Sequence, residues 1–318
     1  MSATEPDKTE RGKSADLFPG FDARTFDTGE AEIFTRIGGS SPPLLMLHGY
    51  PQCHVMWHRI AAVLAESFTC VIADLRGYGA SSVPASGPDH EPYSKRAMAR
   101  DMVAVMAQLG FDQFALAGHD RGGRVGYRLA LDHPERVTRL AVLDIVPTHA
   151  MWHDFTVELA MKTYHWLFLA QPEPLPETLI GAAPDYYLDH TIASWTKGRS
   201  LAAFDPAALD HYRRLFRDPA RLHAACEDYR AGQSFDLAAD EADVAAGRRI
   251  ACPVFVLWGD AGIPSGKDGN DDDDGPLAIW RNWADSVDGA AIDAGHFVCE
   301  ENPQATLAAL LPFLTAGR

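Results

Sequence analysis

The sequence predicts an α/β protein in which a mostly parallel, doubly wound sheet carries an inserted helical cap. Short apolar strands alternate with helices up to about residue 147, the alternation stops over residues 148–246, and it returns from residue 253. Strands that alternate with helices form parallel sheets covered on both faces. We therefore expect a disordered tail at 1–20, the first part of the core at 21–147, the cap at 148–246 and the second part of the core at 247–318.

The first half of the core contains most of the predicted elements. Residues 21–28 and 31–37 have the pattern of two antiparallel strands joined by a turn at Gly29. Short apolar runs at 44–47, 70–73, 114–117 and 137–143 predict buried parallel strands, and apolar residues at helical spacing predict helices at 54–65, 95–109 and 125–131.

The cap segment is rich in Trp, Tyr, His and helix-forming residues, and it has several prolines and no convincing strand. Beyond it, apolar runs at 253–258 and 290–292 predict the last two strands, and an amphipathic pattern at 303–314 predicts the final helix.

Composition limits the partners of this protein. The 318 residues are 47% hydrophobic, enough for a large core, and carry a net charge of −16 that would repel nucleic acid and anionic membranes. The five cysteines are scattered without a C-x-x-C pair, and the polar first 15 residues lack the apolar core of a signal peptide. We expect reduced thiols in a cytoplasmic protein.

No cofactor and no metal site are predicted. The acidic stretch at residues 268–275 has oxygen ligands resembling those of a calcium loop, but it lacks the glycine at the sixth position and the closing glutamate. It is interpreted as a solvated loop.

The segment around Asp120 has the form of a nucleophile elbow. It reads Gly118-His119-Asp120-Arg121-Gly122, between a predicted strand and a predicted helix. The glycines leave room for a strained, exposed side chain at the carboxyl end of a strand. Alone, this pattern is equally typical of an ordinary turn with a capping Asp.

Two further residues complete a possible catalytic triad. An elbow nucleophile is followed in the chain by an acid and then a histidine, each at a strand end, and Asp144 and His296 satisfy this order. Asp260, after the next strand, is a second candidate for the acid, and Asp144 is preferred.

An Asp nucleophile restricts the chemistry. A carboxylate is already ionised at pH 7, so it needs no base to attack. Its attack on saturated carbon gives an ester that His296-activated water can open. The backbone N–H groups of Tyr50 and Arg121 are expected to stabilise the resulting oxyanion.

Arg121 and Arg124 indicate the charge of the substrate. Two guanidinium groups beside the nucleophile can hold a carboxylate that Asp120 would otherwise repel by roughly 4 kcal/mol at about 4 Å and an effective dielectric of about 20. The alternative is that they form salt bridges on a helix face.

These motifs, together with His48-Gly49-Tyr50-Pro51 and Leu143-Asp144-Ile145-Val146-Pro147, resemble the fluoroacetate dehalogenases of the α/β-hydrolase superfamily. The resemblance implies an α/β-hydrolase fold, Asp120 as nucleophile, carboxylate binding by Arg121 and Arg124, and water activation by Asp144 and His296. It also implies halide binding by His165, Trp166 and Tyr229, a pocket role for Trp195 and Tyr50, a small anionic 2-haloacid as substrate, and a homodimer. Tyr50, where such relatives are expected to carry Phe, and the acidic stretch depart from the family pattern.

Other functions use similar residues. An epoxide hydrolase shares the Asp nucleophile but usually needs two cap tyrosines, of which only Tyr229 has a matching place, and Arg121 does not suit a neutral epoxide or haloalkane. A ligand receptor on this fold would be expected to lack a triad member.

Overall fold

The structure is a computed structural model that describes residues 16–40, 42–263 and 275–317. Most of the expected tail and all but the last residue of the acidic stretch at 268–275 lie outside the described residues. Within the range expected to be tail, Phe18 is buried and its ring packs against Phe21 and His54. The packed core therefore begins before residue 21.

Within the described residues, eight strands form one sheet in the order β1-β2-β4-β3-β5-β6-β7-β8. They are β1 (Asp22–Asp27), β2 (Glu32–Gly38), β3 (Pro43–Leu47), β4 (Thr69–Ala73), β5 (Phe114–His119), β6 (Val137–Leu143), β7 (Val254–Gly259) and β8 (Val287–Ile292). The pairs β1/β2 and β2/β4 are antiparallel and the other five are parallel. The predicted α/β-hydrolase fold class is confirmed.

Helices follow the strands in the predicted rhythm. In the first part of the core they are α1 (His58–Ala65), α2 (Lys95–Gln108) and α3 (Arg121–Asp132), with 3₁₀ turns at His54–Trp57 and Glu91–Tyr93. In the second part of the core they are α12 (Pro276–Trp280), α13 (Val298–Glu301) and α14 (Pro303–Thr315). Helices α4 to α11 lie between these two parts and are described below. The predicted helix at 54–65 is thus a 3₁₀ turn followed by an α-helix.

Between β6 and β7 the chain is helical. The helices are α4 (Thr148–His153), α5 (Val157–Lys162), α6 (Tyr164–Leu169), α7 (Leu175–Gly181), α8 (Pro184–Trp195), α9 (Pro206–Phe216), α10 (Pro219–Ala231) and α11 (Leu237–Ala246), with a π-helical turn at Gly232–Asp236. Asp205 and Asp218 cap α9 and α10 by accepting backbone N–H groups, and a proline occupies the first position of each. Local sequence signals therefore explain where these helices begin.

The centre of the sheet positions the site. β3 and β5 are adjacent and parallel, and every side chain of β5 is buried. Such strands consist of continuous apolar residues because helices cover both faces. Their carboxyl ends place the loop 48–53 beside the turn that carries Asp120.

Candidate active site

Asp120 occupies a sharp turn between β5 and α3. Its φ of 44° and ψ of −116° are strained for a residue with a side chain. The turn is tight, since a Cβ added to Gly118 would lie 2.5 Å from the Gly122 carbonyl oxygen, and one added to Gly122 would lie 2.5 Å from the His48 carbonyl oxygen. The backbone N–H of Tyr50 donates to Asp120 Oδ2 at 2.9 Å. The turn therefore has the geometry of a nucleophile elbow. One of the two expected oxyanion donors, the Tyr50 N–H, is already bonded to the nucleophile.

His296 is held by Asp144. His296 Nδ1 donates to Asp144 Oδ2 at 2.6 Å, and the Asp144 carboxylate also accepts the backbone N–H groups of Gly259 and Ile263, both at 3.0 Å. With Nδ1 carrying the proton, Nε2 is the basic nitrogen. Nε2 is buried and has no hydrogen-bond partner among the described residues. It is free to take a proton from water.

Asp260 does not contact the histidine. Its carboxylate pairs with Lys197 at 2.6 Å, and its side chain is 47% exposed. The structure thus favours Asp144 over Asp260 as the acid that orients His296.

His119 supports the loop that carries His296. The two rings lie 4.5 Å apart, and His119 Nε2–H donates to the His296 carbonyl oxygen at 2.8 Å. Burial lowers the pKa of His119 to about 3, so the ring is neutral near pH 7. It orients the backbone without adding a charge beside the base.

Arg121 is paired with a buried carboxylate that the sequence analysis did not single out. Its Nε donates to Asp228 Oδ2 at 2.9 Å, and its Nη2 donates to Asp228 Oδ1 at 2.6 Å and to the Asp228 carbonyl oxygen at 2.7 Å. These bonds leave the two N–H groups of Nη1 for another acceptor. Burial opposes the charged form, but Asp228 outweighs it and raises the pKa of Arg121 well above its usual value. Arg121 therefore carries a fixed positive charge.

Arg124 has more spare hydrogen-bonding capacity. Its Nη1 donates to the Val146 carbonyl oxygen at 2.9 Å and to Thr148 Oγ1 at 3.2 Å. Its Nε is buried and has no partner among the described residues. Burial lowers the pKa of Arg124. A buried, incompletely bonded guanidinium is costly, so this residue favours an anionic ligand.

The candidate halide-binding residues surround both arginines. The Arg124 guanidinium lies 4.4 Å from the Trp166 ring centroid, and that of Arg121 lies 4.1 Å from the Tyr229 centroid. The His165 and Tyr229 rings are 5.6 Å apart. Burial lowers the pKa of His165 to about 3, so it is a neutral ring whose Nδ1 lacks a partner among the described residues. The cap residues named from the sequence thus lie together around the two arginines that follow the nucleophile in the chain.

Tyr50 and Trp195 line the same region. The Tyr50 ring stacks on His165 at 6.1 Å and packs edge-on against Tyr229 at 5.3 Å. The Trp195 ring lies 4.3 Å from His165, and the Trp195 carbonyl oxygen accepts the backbone N–H of His296 at 2.9 Å. Trp195 therefore contacts both the cap residues and the base.

The charges around Asp120 keep it ionised. Burial favours the neutral acid, but the Coulombic effects of His296, Arg121 and Arg124 together outweigh burial and lower the pKa of Asp120. The carboxylate is consequently a ready nucleophile at neutral pH.

Cys53, His54 and Asp74 form one buried group whose ligand atoms lie within 4.8 Å of one another. The Asp74 carboxylate already accepts the His54 ring and the backbone N–H groups of His54 and Ala80. Burial raises the pKa of the Cys53 thiol well above its usual value. A metal ion would have to displace these bonds and deprotonate the thiol, so this donor set suits a metal poorly.

The sequence pattern does not identify Asp228 as a site residue, because only the tertiary structure brings it to Arg121. It directly precedes Tyr229 in α10, but nothing in the local sequence indicates that it meets Arg121, which is 107 positions away. A buried Asp in a helix of the cap could have prompted a search for a cation on the core.

Comparison with known proteins identifies the family of this chain. Residues 42–303 match the family model described as alpha/beta hydrolase fold. The fluoroacetate dehalogenase of Burkholderia sp is 43% identical over 302 residues, covering 95% of this chain and 96% of that protein. The soluble epoxide hydrolase of Corynebacterium sp. (strain C12) is 31% identical over 283 residues, covering 88% and 92%.

Among solved structures, ALR0039 from Nostoc sp PCC 7120 is 52% identical, covers 93% of this chain and 98% of its own, and superposes with a TM-score of 0.88. The chain therefore belongs to the alpha/beta hydrolase fold family, as a hydrolase related to the Burkholderia fluoroacetate dehalogenase.

Proposed function

We propose that this protein hydrolyses the carbon–halogen bond of short 2-haloacids, with fluoroacetate and water giving glycolate, fluoride and a proton. The observation that carries the proposal is the pair of buried guanidinium groups beside the Asp120 carboxylate, each with N–H groups left for an acceptor. A substrate carboxylate can accept hydrogen bonds from these N–H groups, and its attraction to the two guanidinium groups offsets its repulsion by Asp120.

In the first step, Asp120 attacks the carbon that bears the halogen, and halide leaves as the ester forms. Arg121 and Arg124 hold the substrate carboxylate so that this carbon faces the nucleophile. Trp166, Tyr229 and His165 offer N–H or O–H groups to the departing halide. Fluoride is a poor leaving group that is strongly hydrated in water, so it needs such donors once water is excluded.

In the second step, water opens the ester at the Asp120 carbonyl carbon. His296 Nε2 removes a proton from the water, and Asp144 stabilises the imidazolium that forms. The Tyr50 N–H, already bonded to Asp120 Oδ2, stabilises the oxyanion together with the Arg121 N–H. Release of glycolate restores the carboxylate without any cofactor.

The runner-up function is epoxide hydrolysis, supported by the Corynebacterium relative. An epoxide is neutral, so it would leave the spare donors of Arg121 and Arg124 unpaired beside Asp120. The same argument disfavours neutral haloalkanes. Assays with styrene oxide and 1-chlorobutane discriminate these functions from the proposed one.

The proposal is tested with fluoroacetate and a fluoride electrode. We expect fluoride release by the wild type and none by Asp120→Ala, which keeps the arginines but lacks the nucleophile. Reaction in heavy-oxygen water should place the label on the Asp120 peptide after many turnovers. Absence of fluoride release by the wild type, or undiminished release by Asp120→Ala, would disprove the proposal.

We further propose a homodimer in the cytoplasm. The free state of all five cysteines suits a reducing compartment.

Apolar side chains on the helices between β6 and β7 are strongly exposed, among them Val157, Met161 and Tyr186. Exposed apolar residues of this kind are typical of protein interfaces. Within the described residues, no helix is both long and apolar enough to span a membrane.

A further inference from the structure

Asp228 connects three parts of the molecule. Its fully buried carboxylate accepts two hydrogen bonds from Arg121, one from the Tyr78 hydroxyl at 2.7 Å, and one from the Lys95 ammonium group. Tyr78 lies in the loop after β4, and Lys95 is the first residue of α2. Asp228 itself is in α10, directly before Tyr229. The carboxylate thus fixes the position of Arg121 relative to the cap.

Lys95 is in an unfavourable place for a lysine. It is buried, and it begins a helix whose N-terminus already carries partial positive charge. An ammonium group in such a place requires anionic partners. Its partners are Asp228 and Asp236, whose Oδ2 lies 3.3 Å from Nζ. The presence of a buried lysine at the start of α2 is therefore explained by its ion pair with the Asp228 carboxylate and not by helix propensity.

The balance of charge shows what Lys95 contributes. Arg121 and Asp228 alone would form a neutral pair, which has little attraction for an anion. Asp236 also accepts the backbone N–H of Lys95 at 2.7 Å, so the positive end of α2 offsets part of its charge. With Lys95, the side chains of Arg121, Lys95, Asp228 and Asp236 are formally neutral together, whereas without Lys95 they would carry one net negative charge beside the nucleophile.

We propose that Asp228 is a positioning residue that fixes the Arg121 guanidinium, and that Lys95 is the counter-charge that keeps Arg121 attractive to the carboxylate of the substrate. This inference rests on the proposed function, because it takes the substrate to be an anion. Lys95 does not touch the substrate; it acts through Asp228 on Arg121.

The test compares an anionic and a neutral ligand in Lys95→Met. Acetate and acetamide have nearly the same shape, and both are measured as inhibitors of fluoride release. We expect the KM for fluoroacetate and the inhibition constant of acetate to rise about tenfold, with kcat and the acetamide constant nearly unchanged, since only the anions sense the lost charge. Lys95→Arg should retain wild-type values. Lys95→Gln provides the same comparison if Lys95→Met does not fold.

A double-mutant cycle separates the charge from packing. Lys95→Met combined with Asp236→Asn restores the net charge of the cluster and leaves Asp228 bonded to Arg121, so it should bind acetate more tightly than Lys95→Met alone. Glu227→Gln is the matched control, since Glu227 is buried in the same helix but pairs with Arg230 and His90. Equal loss for both ligands, or additive losses in the double variant, would overturn the inference. A wild type that neither releases fluoride nor is inhibited by acetate would instead overturn the proposed function.

Discussion

In the proposed mechanism, Asp120 and His296 act in different steps, and their environments explain why. The positive groups around Asp120 keep the carboxylate ionised, so its attack requires no base. His296 presents a free Nε2 only because Asp144 holds the proton on Nδ1. The base is therefore needed when water enters and not before.

This division of labour predicts that His296→Ala stops the reaction halfway. The variant should release about one equivalent of fluoride per site and then stall, with steady turnover reduced by a factor on the order of 10³ to 10⁴. Mass spectrometry of the Asp120 peptide should detect the glycolyl ester, which the wild type does not accumulate. Loss of the first equivalent of fluoride in a folded His296→Ala protein would show that the histidine also acts in the attack.

At the scale of elements, the turn from β5 to α3 depends on glycines that allow close backbone contact. A Cβ at position 122 would lie 2.5 Å from the His48 carbonyl oxygen and 2.6 Å from the Leu47 carbonyl carbon. These are backbone atoms of the neighbouring strand and loop, which cannot rotate away as a side chain can.

Gly122→Ala is therefore expected to destabilise the fold and displace the nucleophile. We predict a loss of about 2 to 4 kcal/mol in the free energy of unfolding, within the range of overpacked cores. We also predict that the fraction of the protein that stays folded releases fluoride more slowly than the wild type. Urea unfolding followed by circular dichroism measures the first. Gly181→Ala is the control, because a Cβ there meets nothing within 4 Å and should leave stability unchanged or slightly raised. Equal stability of the two variants would contradict the steric argument.

Glu300 joins α13 to the cap and to the loop after β3. Its buried carboxyl receives hydrogen bonds from the Tyr212 hydroxyl at 3.1 Å and from the Gln52 side-chain amide, and Arg59 donates to its carbonyl oxygen at 2.8 Å. Burial raises the pKa of Glu300 from 4.5 to about 8, despite the opposing effects of Tyr212, Arg59 and Gln52. Folding therefore retains a proton that the unfolded chain releases.

The sign of the pH effect follows from this shift. The stabilising contribution is complete below the unfolded pKa near 4.5 and is lost as the pH rises towards the folded pKa of about 8. Glu300→Gln cannot ionise, so its melting temperature should rise relative to the wild type between pH 5 and pH 8, by about 5 °C. Thermal melts at intervals of pH measure the difference. A difference that does not change with pH would show that Glu300 is already ionised in the folded protein.

At the scale of the whole molecule, the sequence predicts the sheet well and the network behind the site poorly. Buried parallel strands consist of continuous apolar residues, so β3 and the second half of β6, residues 140–143, are evident from composition. The elbow motif and the strand ends then bring Asp120, Asp144 and His296 together, because carboxyl ends of neighbouring parallel strands meet at one edge.

Residues that act through long-range pairs leave no comparable pattern. Lys95, Arg121 and Asp228 come from three separate elements, and their contact depends on how the cap packs on the core. The length of β5 illustrates the same limit: the predicted strand ends at residue 117, whereas hydrogen bonding to β6 extends it through Gly118 to His119. Propensity disfavours a glycine in a strand, and tertiary pairing outweighs propensity.

The exposed apolar surface leads to a prediction about assembly. Val157 and Met161 are one helical turn apart on α5 and are 83% and 75% exposed, and Tyr186 on α8 is 74% exposed. We expect the protein to sediment with twice the mass of one chain. Met161→Glu combined with Tyr186→Glu should yield a monomer, because burying the two new charges against a second copy is costly. Val63→Glu, at a partly exposed position on α1, should remain a dimer. A wild type that sediments as a single chain would refute the homodimer, while a double variant that stays dimeric would place the interface on another surface.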